Sequence, residues 1–179
     1  RFTHHLSTHL LIPGLINTHT HAAMNLLRGF AEDMSLQDWL TTRIWPAEHQ
    51  HVSPEFVIDG TKLALAEMLR SGITCYNDMY FFPDVEGEVV DQSGIRSTIG
   101  LIVLDFPTPW GKDAADYLTK ARAVHDNFRD HPLIRTALAP HAPYTVSSDS
   151  LVATKALAAE LDIPIHIHVH ETAEEIDNF

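Results

Sequence analysis

Two periodicities alternate along the chain. Short blocks rich in β-branched and apolar residues read as strands, and longer blocks with apolar residues every three or four positions read as helices. The first block, Leu10-Leu11-Ile12-Pro13-Gly14-Leu15-Ile16-Asn17, is an apolar run broken by Pro-Gly. It predicts a short strand reaching a turn, then a second strand piece. Ser35 to Trp45 predicts a short amphipathic helix with Ser35 as N-cap and Pro46 just beyond its end. Ser53-Pro54-Glu55 starts a helix that runs through Leu63, Leu65, Ala66 and Leu69 to a stop at Gly72. Further strands are predicted at Ile73–Asp78, Arg96–Leu104, Ile134–Ala139 and Ile163–Val169. Further helices are predicted at Asp84–Ser93, Asp113–Arg129 and Ser147–Leu161, with another beginning at Thr172. Strand starts recur at intervals of roughly 30 to 60 residues with helices between them, the signature of parallel βα units in an α/β fold.

Composition then limits the class. With 24 acidic and 12 basic side chains, the 179-residue chain carries a formal charge of −12. That argues against a nucleic-acid partner, whose binders present a basic face, and against docking on anionic lipid. Cys75 is the single cysteine, which excludes an internal disulfide and a multi-cysteine zinc site. No apolar run nears the roughly 18 residues of a membrane span, and the start lacks the order of a signal peptide. A reduced, cytoplasmic setting is the expectation, with a homo-oligomer left open. The unusual number is the thirteen histidines.

Three histidine clusters fall at the C-terminal ends of predicted strands. In His19-Thr20-His21, residues i and i+2 of a strand point to one face, where two imidazoles can hold a divalent metal. A polar turn with two solvated histidines gives the same pattern. Pro140-His141-Ala142-Pro143-Tyr144 presents one histidine on a proline-stiffened loop, which suits substrate binding, although an ordinary turn histidine would look the same. In His166-Ile167-His168-Val169-His170-Glu171 the three histidines share a parity. His168 is the favoured ligand, though parity alone leaves the choice open, and Glu171 stands where it reaches a metal-held water. His170-Glu171-Thr172-Ala173-Glu174 is not the HExxH of zinc proteases, because position 174 is Glu. The lone Cys75 also excludes the HxE…PCxxC zinc deaminases, and no GxGxxG, GxxxxGK[ST] or GxSxG occurs.

With these residues assembled, the chain resembles the amidohydrolase superfamily. Pro13-Gly14-Leu15-Ile16-Asn17-Thr18-His19-Thr20-His21 looks like its first-strand metal motif. The blocks Met24 to Asp33, Trp39-Leu40, Trp45-Pro46-Ala47-Glu48, Pro140 to Tyr144 and His168 to Thr172 follow in order. Together they resemble the 5′-methylthioadenosine/S-adenosylhomocysteine deaminase branch. The resemblance implies a (β/α)8 TIM barrel of the metal-dependent hydrolase type. It implies one divalent metal, usually zinc, with iron, manganese or nickel also suited to three imidazoles. By motif position His19, His21 and His168 would be the ligands and Glu171 the catalytic proton shuttle. Trp39, Glu48 and His141 would line the nucleoside pocket, with Glu48 on the ribose hydroxyls and His141 on the purine. The implied reaction is attack of a metal-activated water on C6 of 5′-methylthioadenosine, adenosine or S-adenosylhomocysteine, with release of ammonia. The alternatives are another amidohydrolase, such as a triazine-type chlorohydrolase or another aminohydrolase, and a metal-binding barrel without catalysis.

Two departures qualify the picture. Branch members that hold the homocysteine carboxylate place arginines around the third strand and the loop after it. Here that strand has Arg96 at its start, and Lys112 is the basic residue of the following loop. A complete (β/α)8 barrel takes about 250 residues, whereas this chain supplies about strands 1–5. It is therefore expected to be a fragment: residues 1–9 the end of a missing N-terminal β-domain or a linker, and residues 10–179 the N-terminal part of the barrel. The remaining candidates read as structural. His4, His5, His9, His49, His51, His125 and His131 are expected at the surface and Cys75 buried in a strand. Glu32, Asp33 and Asp38 are expected to be solvated or capping, Asp78 to brace the site's rim, and Trp45 to pack in the core.

Overall fold

In the computed structural model, which describes residues 7–178, four strands pair in parallel in the order of the chain. They are β1 (Leu15–Thr20), β2 (Ile73–Tyr80), β3 (Arg96–Val103) and β4 (Ile134–Pro140). The β2–β3 and β3–β4 registers run without interruption, while β1 shifts twice against β2. The connecting helices are α1 (Leu36–Trp39), α2 (Trp45–His51), α3 (Pro54–Arg70), α4 (Pro83–Ser93), α5 (Ala114–Phe128), α6 (Ser148–Leu161) and α7 (Ala173–Asn178). Ser35, Ser53, Asp113 and Ser147 each accept the backbone N–H three residues on, so the polar residue before each apolar stretch does start the helix. Gly94 ends α4 at φ +72, a conformation that glycine adopts without strain.

β3 is apolar on both faces because both are covered. Ile99, Leu101 and Val103 are buried in one cluster with Val90 of α4 and Tyr117 and Ala121 of α5. On the opposite face Met79 and Ile102 line a cavity at the C-terminal end of the sheet. A short 3-10 turn, Ala22–Leu27, follows β1 and rests on α3. The contact requires glycine at Gly60, where a Cβ would stand 2.3 Å from the Ala23 carbonyl oxygen.

Four expectations are corrected. Leu10–Ile12 forms no strand and is exposed, since backbone pairing begins at Leu15, whose N–H donates to the Gly72 carbonyl where β2 starts. Pro46 does not end a helix. A π-turn over Leu40–Ile44 joins α1 to α2, and the wider turn takes a proline that an unbroken α-helix would clash with. Ile163–Val169 runs beside β4 but makes only one regular bridge, Leu138 to Ile165. The Leu138 N–H donates to the Pro164 carbonyl and the His166 N–H to that of Leu138, but Pro140 has no N–H to continue the ladder. The next bond therefore skips forward, His168 N–H to the His141 carbonyl at 3.1 Å.

The fourth correction concerns side chains expected at the surface or in the core. His125 is buried on the inner face of α5, its Nδ1 2.8 Å from Thr136 Oγ1. His131 accepts the N–H groups of Leu133 and Ile134 and so caps the entry to β4. Cys75 is half-buried, while His9, His49 and His51 are exposed as expected. His4, His5 and most of residues 1–9 lie outside the described residues. Among the described residues no helix is long and apolar enough to cross a membrane.

Candidate metal centre and pocket

The C-terminal ends of β1, β2 and β4 and the segment after α6 converge on one imidazole cluster. Strand parity brings His19 of β1 to the same side as His166 and His168. β2 fixes the turn that carries His21. The Asp78 Oδ1, almost fully buried, accepts the Ala22 N–H at 2.6 Å, and the next residue's carbonyl, Met79, accepts from His21 Nδ1 at 2.6 Å. Burial and the Asp78 charge push the neighbouring Glu86 carboxyl up, and Glu86 accepts the Tyr76 hydroxyl at 2.7 Å. Asp78 thus braces the site as expected.

His168 Nδ1 donates to the His141 carbonyl at 2.8 Å. A carbonyl only accepts, so His21 and His168 both carry a proton on Nδ1, which leaves Nε2 as the ring atom available to a ligand. His19 Nδ1 lies 3.0 Å from His166 Nε2, and its own Nε2 lies 3.1 Å from His168 Nε2. One nitrogen from each of His19, His21 and His168 lies within 4.8 Å of the other two. Burial pushes His21 down to about 4 and His141 to about 3, and it lowers His19 and His166 as well. Burial thus keeps His21 and His141 neutral at pH 7. Imidazoles with Nε2 converging and Nδ1 held by a second partner are a donor set that fits a divalent metal with an open position. His166 stands one layer deeper, with a buried Nδ1 that has no partner. His170 leaves the strand parity at φ +61 and is exposed.

Beside the cluster opens a cavity of about 160 Å³. Its polar lining includes His21, Glu48, His141, His168 and Glu171, and its walls are Trp39, Ile44, Trp45, Leu104, Phe106 and Pro109 among others. Trp45, expected in the core, is half-buried and turns to this wall, its ring 5.8 Å from that of Phe106. Trp39 is anchored by its indole N–H on the Ala31 carbonyl at 3.0 Å. Glu48 is buried, and burial raises its carboxyl to about 7 against the opposing pull of a 2.8 Å bond from the Tyr80 hydroxyl. His141 is held by Thr145 Oγ1 on Nδ1 at 2.8 Å. Glu171 Oε2 accepts the Tyr144 hydroxyl at 2.7 Å, which leaves its other oxygen free. Arg96 reaches Thr74 on an exposed surface, and neither it nor Lys112 lines the cavity. Sequence reasoning gave no role to Tyr80 or Tyr144. Tyr144 does stand in the Pro-His-Ala-Pro-Tyr block, whereas nothing around Tyr80 marks it.

The amidohydrolase family model matches residues 10–179. The chain belongs to the amidohydrolase family. It is 51% identical over 173 residues to a 5-methylthioadenosine/S-adenosylhomocysteine deaminase of Saccharophagus degradans, covering 97% of this chain and 39% of that protein. It is 44% identical over 169 residues to a 5′-deoxyadenosine deaminase of Methanoregula boonei, covering 94% of this chain and 38% of that protein. The crystal structure of an adenosine deaminase from Xanthomonas campestris with bound zinc superposes with a TM-score of 0.91 at 51% identity, covering 93% of this chain and 38% of that chain. The chain thus spans about two-fifths of the length of these relatives. Its parallel strands and covering helices are part of a (β/α)8 barrel, in a metal-dependent family of hydrolases.

Proposed function

We propose that this amidohydrolase is a hydrolytic deaminase of a purine nucleoside: 5′-methylthioadenosine, adenosine or S-adenosylhomocysteine. One observation carries the reading. Ring nitrogens of His19, His21 and His168 converge beside an apolar-walled cavity that is also lined by Glu171 and the buried Glu48. The relatives' names point to the same class of substrate.

His19, His21 and His168 would hold one divalent metal, zinc first among those that suit three imidazoles. When bound, such a metal supplies a water of lowered pKa at the cavity mouth. Glu171 is the proton carrier: its free oxygen takes one proton from the water whose oxygen adds to C6 and gives it to the purine ring, then takes the second from the new C6 hydroxyl and gives it to the amino group, which leaves as ammonia as the C6 carbonyl forms. The Tyr144 hydroxyl keeps the other carboxylate oxygen in place. His141, neutral and held on Nδ1, offers Nε2 to the purine, and Glu48 accepts the ribose hydroxyls. Trp39, Trp45 and Phe106 exclude water and favour a small apolar 5′ group over a charged tail. Such a water-soluble metabolite suits a cytoplasmic setting.

The test is Glu171→Gln in the intact, metal-loaded protein. It keeps the metal and loses about 10²- to 10⁴-fold in kcat with 5′-methylthioadenosine. A variant that deaminates at the parental rate removes Glu171 from the chemistry and a metal-only barrel from contention.

A further inference from the structure

The segment that delivers Glu171 is held by one carboxylate. Glu175, on the first turn of α7, is only 4% exposed. Its Oε1 accepts the His170 N–H at 2.7 Å and its Oε2 accepts the Glu171 N–H at 2.9 Å. Its own N–H donates to Thr172 Oγ1 at 3.1 Å. Thr172 and Glu175 have the spacing of a capping box, in which the glutamate would turn back onto the N-cap N–H. Here the carboxylate reaches past that position to the two residues before it. Those residues need it, because His170 is at φ +61, where a non-glycine residue is held only by its surroundings. The turn at His170 ends the parity of His166 and His168 and swings Glu171 to the Tyr144 hydroxyl at the cavity mouth.

We propose that Glu175 is a positioning residue for Glu171: by accepting both amides it fixes the left-handed turn that aims the Glu171 carboxyl. The inference rests on the reading of Glu171 given above. A plain helix cap would account for the Thr172 bond but not for a bidentate grip on the backbone of the functional glutamate.

The experiment uses the intact metal-loaded protein with 5′-methylthioadenosine. Glu175→Gln replaces one acceptor with a donor that faces an N–H. Its kcat falls about 10- to 100-fold, as for an ångström-scale misplacement of a reacting group, while KM and metal content stay at parental values. Glu171→Gln/Glu175→Gln is no slower than Glu171→Gln alone, because the two act as one unit. Thr172→Ala, which weakens the cap alone, lowers the melting temperature and leaves kcat unchanged. If Glu175→Gln fails to fold, it is placed in a His170→Gly background, where glycine adopts the left-handed turn without strain but does not fix it. The same loss of kcat is expected there. A parental rate for Glu175→Gln beside an inactive Glu171→Gln overturns this inference alone, as does an additive double variant or an unchanged rate in the His170→Gly background. A parental rate for Glu171→Gln overturns the functional reading and this inference with it.

Discussion

Glu48→Gln separates the cost of a buried carboxyl from its use. Burial raises this carboxyl from 4.5 to about 7. Between those values the unfolded chain ionises while the folded protein keeps its proton, so the folded state loses stability as pH rises through that window and nothing further above it. At about 1.36 kcal/mol per unit, the full step is worth about 3 kcal/mol. Glutamine keeps an acceptor for the Tyr80 hydroxyl, now 2.8 Å from Glu48 Oε1, and has no proton to lose. Urea melts of the metal-loaded parent and variant should therefore agree near pH 4.5. The variant should gain to about 3 kcal/mol by pH 7 and hold that lead at pH 8. Comparing the two proteins at each pH cancels the pH dependence of metal binding, which both share. The same variant should raise KM for a nucleoside and leave metal content unchanged, because its amide puts an NH2 donor where the carboxyl offers the ribose a second oxygen. A difference in stability that does not change from pH 4.5 to 8 would refute the claim that Glu48 is held protonated by burial.

Two further outcomes test how the metal loop is held. Asp78→Ala orphans the buried Ala22 N–H and should cost about 1–3 kcal/mol, with metal affinity about 10- to 100-fold lower in chelator competition; Asp78→Asn, which still accepts, should recover most of both. Gly60→Ala sets a methyl 2.3 Å from the Ala23 carbonyl, so it should destabilise by about 1–3 kcal/mol in a urea melt even though alanine favours a helix interior by about 1 kcal/mol.

The fold was legible where local chemistry and tertiary context agree. Ser53, Asp113 and Ser147 stand before amphipathic stretches and do cap them, and Arg96–Leu104 is apolar because β3 is covered on both faces. It was illegible where one residue acts through a missing atom or an unusual turn. Pro46 reads as a stop until a π-turn accommodates it, and Pro140 interrupts a ladder from the neighbouring strand, outside the segment it disturbs. At the site, His19, His21 and His168 were marked by spacing and by resemblance, and the structure brings them together. Tyr80 and Glu175 were not, because their roles depend on burial and on partners 32 and 4–5 residues away that no local pattern ties to a site. His125 was misplaced for a related reason: a polar residue on the buried face of α5 finds its acceptor, Thr136, on β4.

The central claim is that three histidines and Glu171 form a metal-dependent nucleoside deaminase. Ammonia release by the intact protein, loaded with one zinc and given 5′-methylthioadenosine, adenosine and S-adenosylhomocysteine in turn, tests it most directly. The account predicts one ammonia per nucleoside converted for at least one of the three, abolished together with the bound zinc in His168→Ala. No ammonia from any of them at full metal occupancy, or an undiminished rate in the metal-free His168→Ala protein, would contradict it.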